Sequence, residues 1–141
     1  MSYVVLAASV LAPLWAAVSS HVAQATCLRY EPDTVAVTGT LVRKTFPGPP
    51  NYESVQGGDA PETGFYLELN PPACTVASRD SMDTDDTTER DVRLIQLVLD
   101  AGGYARLRPL LGRSVTLRGS LFHSFTGHHH ATLLLRDVKG P

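Results

Sequence analysis

A chain of 141 residues leaves room for one domain and little more. Its net charge of −2 is unevenly placed: residues 26–91 hold five basic and twelve acidic side chains, residues 92–141 seven basic and two acidic. The composition excludes a uniformly basic chain, and the two cysteines leave no CxxC pair for a metal module.

Residues 1–28 carry no charged side chain, and Tyr3 to Val18 is almost wholly apolar or small. Ala23-Gln24-Ala25 then has the small-x-small form that signal peptidase reads. We expect a signal peptide over 1–25 and a single mature domain over 26–141, periplasmic or secreted. The apolar run is shorter than the ~20 residues a span needs, so no stable membrane span is expected after cleavage. Cys27 and Cys74, an even pair in an exported chain, are expected to form one disulfide between the mature N-terminus and the segment after the second strand.

Val35 to Val42 reads VAVTGTLV, with Val35, Val37 and Leu41 on one face of a strand. Residues 44–63 hold four prolines and three glycines and are expected to form a long loop. Gly64 to Leu69 predicts a second strand, with Phe65, Leu67 and Leu69 on one side, stopped by Asn70-Pro71-Pro72. Residues 77–91 read as a solvated acidic loop. Its Asp83, Asp85 and Asp86 lack the central glycine and closing glutamate of an EF-hand. Val92 to Leu99 is short, apolar and β-branched, which predicts a strand buried on both faces, broken by Gly102-Gly103. Tyr104 to Leu111 predicts one or two helical turns, distorted at Pro109. Ser114 to Phe122 and Ala131 to Val138 are the last two strands.

The first and fourth strands share a pattern, Val35-x-Val37-x-Gly39-Thr40-Leu41 and Val115-x-Leu117-x-Gly119-Ser120-Leu121. A glycine inside a strand marks a bulge, a bend or a close backbone approach, and matched bends suit closure of a small barrel. The expected fold is therefore mainly β, a small five-stranded OB-like barrel with one short helix between strands 3 and 4; an open antiparallel sheet is the alternative. In the OB arrangement the loops 44–63 and 123–130 lie side by side, where such folds bind ligands.

Loop 123–130 contains four histidines: His123, His128, His129 and His130. In extended chain His128 and His130 point one way and His129 the other. Imidazole ligates zinc, copper and nickel, so His123, His128 and His130 are candidate metal ligands, with Asp59, Glu62 or Glu53 as carboxylate partners. The competing reading is structural, with imidazoles pinning the hairpin through Ser124, Thr126 or Thr132. Phe46, Tyr52, Phe122 and Phe125 are candidate stacking platforms or loop-packing residues. Ser124, His128 and Asp59 can be drawn as a hydrolytic trio, but no GxSxG surrounds a serine.

The chain resembles an uncharacterised bacterial family of exported domains of unknown function. The resemblance rests on Cys27-Leu-x-Tyr30, Phe46-Pro47-Gly48-x-Pro50-Asn51-Tyr52-Glu53, Gly58-Asp59-x-Pro61-Glu62 and Cys74. It continues with Leu111-Gly112-x-x-Val115 and, most specifically, Thr126-Gly127-His128-His129-His130; Ala131-Thr132 departs from the usual ending. The resemblance implies export and a single domain, and it carries no activity. The expected function is a non-catalytic binding module for an envelope protein or small ligand, without nucleic acid, with its surface at Tyr52, Asp59, Glu62, His123, His128, His129 and His130. The alternatives are a metal-binding protein using zinc, copper or nickel, and an inhibitor or immunity protein against a cell-envelope enzyme. A basic face for an anionic polysaccharide is a further reading of the charge asymmetry.

Overall fold

The computed structural model describes residues 27–77 and 87–141. The expected signal peptide over 1–25 and the aspartates Asp83, Asp85 and Asp86 lie outside these residues.

The described chain is mainly β. In order it contains β1 (Leu28–Arg29), β2 (Thr34–Pro47), β3 (Pro61–Ala73), β4 (Thr75–Val76), β5 (Val92–Leu97), helix α1 (Ala101–Leu107), a 3₁₀ turn (Arg108–Leu110), β6 (Ser114–His123) and β7 (Leu133–Lys139). β1 and β4 form a two-residue parallel pair beside the disulfide Cys27–Cys74, whose Cα atoms are 4.6 Å apart. The other five strands form one sheet in the order β2-β3-β5-β7-β6, and β6 pairs back onto β2, so the sheet closes on itself. Only β5 and β7 run parallel within it.

Period-two alternation explains which side chains fill the interior. Val37 and Leu41 of β2, Phe65 and Leu67 of β3, and Leu117 and Leu121 of β6 all point inward and are buried. Leu107 of α1 enters the same core, and Tyr30 closes it from the N-terminal segment with its hydroxyl bonded to Thr75 Oγ1 and Thr87 O.

Gly39 and Gly119 answer to close backbone approach. β2 leaves its pairing with β6 and takes up β3 at Thr40; β6 pairs with β2 through Ser120 and with β7 across a register shift between Arg118 and Ser120. A Cβ on Gly39 would lie 2.7 Å from Glu68 O, and one on Gly119 would collide with Arg136 O. Each glycine sits where its strand changes partner and the backbone of a third strand passes beneath it.

Four expectations are corrected. The loop expected over 44–63 is only 48–60, because β2 and β3 continue as a hairpin arm in which Thr45 faces Thr63, hydroxyl to hydroxyl at 2.7 Å. Asn70-Pro71-Pro72 does not stop β3, which runs to Ala73. A register shift against β5 between Glu68 and Ala73 lets the prolines pass where no ladder donor is needed. The strand starting at Val92 is present but ends at Leu97, and it is not fully buried on both faces: Ile95 and Leu97 face the core, while Leu94 and Gln96 on the other face are half-buried. Finally, the helix begins at Ala101 rather than Tyr104. Asp100, in extended conformation, caps it by accepting from Gly103 N at 2.7 Å, so Gly102-Gly103 belong to its first turn.

Candidate functional site

The outer face of the sheet carries a second, smaller buried layer. Tyr66 and Leu134 point away from the core yet are 1% and 0% exposed. They lie in one row of register partners, Val42, Tyr66, Gln96, Leu134 and Phe122, across all five strands. The loop between β6 and β7 folds back over this row. Gln96 holds it there, accepting from His130 N at 2.7 Å and donating to His128 O at 3.2 Å. His130 stacks flat on Phe46, centroids 5.0 Å apart and planes within 7°, and Phe46 packs on Tyr66. Burial, with the nearby Tyr104 and the Glu62 carboxylate adding to it, pushes the Tyr66 phenol up to about 12.

Glu62 joins the two loops. It is the second residue of β3, on the same face as Phe46, its ladder partner. One carboxylate oxygen takes His128 Nδ1 at 2.5 Å and the other takes His130 Nε2 at 2.7 Å. Burial opposes ionisation of Glu62, but the hydrogen bonds from His130 and His128 outweigh it and hold the carboxyl below its ordinary range. Tyr52, at the tip of the facing loop, sets its ring at 72° to His128 and lies against Gly127, where a Cβ would come 2.9 Å from the ring.

The expected alternation holds. His128 and His130 turn to Glu62, while His129 turns the other way, its Nδ1 accepting from Phe125 N at 3.1 Å and its ring edge-on to Phe122 and Phe125. Burial, and then the neighbouring His128 and His130, hold the His129 imidazole below its ordinary value.

His123 stands apart from this group. Its Nε2 meets Glu89 Oε1 at 3.2 Å and its Nδ1 meets Ser124 O at 3.1 Å. The expected metal trio of His123, His128 and His130 is therefore not assembled. Among the described residues no three His, Cys, Asp or Glu side chains are arranged to hold a metal ion. The pinning partners are in part those expected: His123 bonds the Ser124 backbone carbonyl, but carboxylates rather than the hydroxyls of Ser124, Thr126 and Thr132 complete the hold on His123, His128 and His130.

Asp59 serves its own loop. It is 4% exposed, one oxygen accepts from Asn51 N and Nδ2, and the other accepts from Glu53 N and Ser54 N at 2.8 and 2.9 Å. The backbone donors of Ser54, Glu53 and Asn51 hold its carboxyl below the ordinary range. Asp59 sets the shape of loop 48–60 and, through it, the position of Tyr52. Neither it nor Ser124 bonds His128, so the hydrolytic trio does not form.

Four side chains remain outward at the junction: Phe125, 73% exposed, Tyr52, Val55 and His128. With Nδ1 of His128 committed to Glu62, its Nε2 is left to solvent. The arrangement offers an aromatic and imidazole surface beside the Glu62 carboxylate. Sequence reasoning missed Tyr66, Gln96 and Leu134; the uninterrupted runs Phe65-Tyr66-Leu67 and Leu133-Leu134-Leu135 were the available signal, since a strand apolar on consecutive positions is covered on both faces.

No curated protein and no solved structure matches the chain. Residues 94–139, from β5 through the histidine loop to the end of β7, match the family model for a domain of unknown function, DUF4431.

Proposed function

We propose that the chain is a non-catalytic binding module acting outside the cytoplasm, periplasmic or secreted, on an OB-like barrel. Its ligand, an envelope protein or a small molecule, docks on the surface made jointly by loops 48–60 and 124–132. The barrel reading is supported by the closed ring of five strand pairings and by the helix lying between the third and fourth of those strands. Small barrels of this order bind through the two loops that meet here. Export is supported by the signal-peptide pattern and by the Cys27–Cys74 disulfide, a bond that persists in oxidising compartments. Among the described residues no helix is long and apolar enough to cross a membrane.

The single observation that carries the binding reading is Glu62 holding both His128 and His130. Two segments far apart in sequence become one preformed surface, with Phe125 and Tyr52 exposed upon it. Preorganisation of this kind removes part of the ordering cost of binding, and exposed aromatics are the side chains that anchor interfaces.

The test compares wild type with a Tyr52→Ala/Phe125→Ala variant for ligand capture from a cell-envelope extract. Phe125 is largely exposed, whereas Tyr52 gives up its contacts with His128 and Gly127, so the double truncation should cost about 1–2 kcal/mol. The variant should stay folded, melting a few degrees below the wild type, and lose the captured ligand. Undiminished capture by a folded variant would overturn the assignment of this surface.

A further inference from the structure

The hairpin arm that presents Glu62 on one side presents a different set of groups on the other. Side chains alternate along β2 and β3, so Arg43, Thr63 and Phe65 project from the face continuous with the core, away from Phe46, Glu62 and Tyr66. Helix α1 and the turn after it come up against this face. Tyr104 sets its ring edge-on to Phe65, centroids 4.9 Å apart and planes at 69°. With Arg108 and Leu111, these residues line a cavity of about 420 Å³. That volume falls in the range of small-molecule sites, roughly 300–1,000 Å³.

The chemistry of the lining is one-sided. Phe65 is 4% exposed and forms an apolar floor with the half-buried Tyr104 and Leu111. Arg43 and Arg108, both exposed, supply the charged part of the lining, and no acidic side chain lines the cavity. Neither the Arg43 nor the Arg108 side chain has a hydrogen bond or ion pair with another described residue. The larger cleft of about 930 Å³ beside β7 lacks this imbalance. There Asp100 and Asp137 accompany Arg106, Arg136 and Lys139, and Arg136 is already paired with Glu31 at 2.5 Å. Two unanswered arginines over an aromatic floor call for a ligand that brings a carboxylate and an apolar body together. Guanidinium forks match carboxylate geometry, and the planar group tolerates partial desolvation better than an ammonium.

We propose that this cavity binds a small organic acid, an aromatic or aliphatic monocarboxylate. Its body packs on Phe65, Tyr104 and Leu111, and its carboxylate is held by Arg43 and Arg108. The site lies on the opposite face of the arm from the histidines, so it stands or falls independently of the loop surface.

The experiment is a titration of the full chain with benzoate, followed by NMR at the Phe65, Tyr104 and Leu111 signals. Benzamide serves as the neutral analogue and acetate as the anion without a body. Benzoate should shift these signals saturably in the millimolar range or tighter, while benzamide and acetate bind distinctly more weakly. Arg43→Gln and Arg108→Gln, both at exposed positions, should each weaken benzoate about tenfold with the melting temperature retained. His128→Ala should leave benzoate binding unchanged. Equal binding of benzamide would reduce the site to an apolar hollow, and equal binding of acetate would reduce it to a surface charge. Either result, or indifference of benzoate to both glutamine variants, overturns the proposal.

Discussion

Glu62 Oε2 accepts from His130 Nε2 at 2.7 Å across 68 residues of chain, and the His130 side chain is 10% exposed where it makes that bond. The same imidazole lies flat on Phe46 and helps roof Tyr66, so the bond fixes a ring whose other contacts are apolar. Removing the ring uncovers the outer buried layer, while removing the carboxylate leaves the ring in place without its anchor. The two substitutions should therefore differ in size. His130→Ala should cost about 2–4 kcal/mol in urea denaturation, in the range of losing a packed aromatic. Glu62→Gln should cost about 1 kcal/mol, the net worth of a hydrogen bond partly kept by the amide. Hydrogen exchange at His130 N–H should speed up in Glu62→Gln while core amides of β2 and β6 stay protected. Equal losses in the two variants would count against the layered arrangement.

Acid should loosen the loops from two directions. Asp59 and Glu62 both have folded-state carboxyls held below their ordinary values, so each contributes stability that is present above about pH 4 and lost as pH falls through its folded value. His129 is depressed in the same sense: it stays neutral in the fold while the unfolded chain takes a proton below about pH 6.5, so stability also falls as pH drops from there through the folded value. Melting temperature should thus decline in two stages on acidification. Asp59→Asn should lower it at neutral pH and flatten the more acidic stage. The His129→Phe variant should flatten the milder one. The ring protons of His129, followed by NMR, should titrate below about 6.5; a midpoint at or above that value would contradict the environment described for it.

How much of this was legible in the sequence depended on whether a feature was local. Period-two apolar alternation located β2, β3 and β6 because each has a buried face, short apolar length and β-branched content located β5, and the matched Gly39 and Gly119 pointed to crowded backbone before any contact was known. The arm of β2 and β3 was not legible. Lys44, Thr45, Thr63 and Glu62 are polar on both faces and pair only because the ladder continues outward from a core they do not enter. The prolines at 71 and 72 misled for a related reason, since a strand whose register shifts past them has no use for their missing donors. Asp100 was a readable helix cap masked by the two glycines that follow it. The histidine alternation followed from chain geometry, and Glu62 stood among three candidate carboxylates. Its selection over Asp59 was set by four donors within loop 48–60 that the sequence does not display.

The glycines at the partner exchanges should be intolerant of a single methyl group. A Cβ at Gly119 meets the Arg136 carbonyl and lies 2.9 Å from Leu135 Cγ; at Gly39 it meets Glu68 O at 2.7 Å and Leu69 Cδ2 at 2.9 Å. Backbone atoms cannot rotate away, so Gly39→Ala and Gly119→Ala should each destabilise by about 1–3 kcal/mol or more. Gly102→Ala provides the control, because its Cβ would come no closer than 3.5 Å to a side-chain atom of Asp100 and the site is helical. That change should be neutral or stabilising by up to about 1 kcal/mol. Chemical denaturation of the three variants side by side settles the comparison, and tolerance of alanine at Gly119 would mean that β6 and β7 do not cross as closely as described.

The disulfide offers the largest expected effect. Cys27 and Cys74 are 47 residues apart, and the chain between them contains the whole β2–β3 arm. Cross-linking a loop of that length removes about 4 kcal/mol worth of unfolded-state entropy at room temperature in the chain-entropy model. The bond also holds β1 against β4, since Leu28 N donates to Cys74 O at 2.8 Å and two-residue strands have little else to define them. A Cys27→Ser/Cys74→Ser variant should therefore lose a large share of a small domain's stability, and the loss should be greater than that of any single loop substitution above. Because β1 and β4 form a separate two-residue pair outside the five-stranded sheet, they should detach first, with the buried Tyr30 and its bonds to Thr75 and Thr87 as the contacts that resist it. Hydrogen exchange would show that as early loss of protection at Leu28 and Thr75, with Leu117 and Leu135 protected until global unfolding. If reduction lowered the stability of the five long strands without exposing β1 and β4 first, the bond would be acting on the unfolded chain alone.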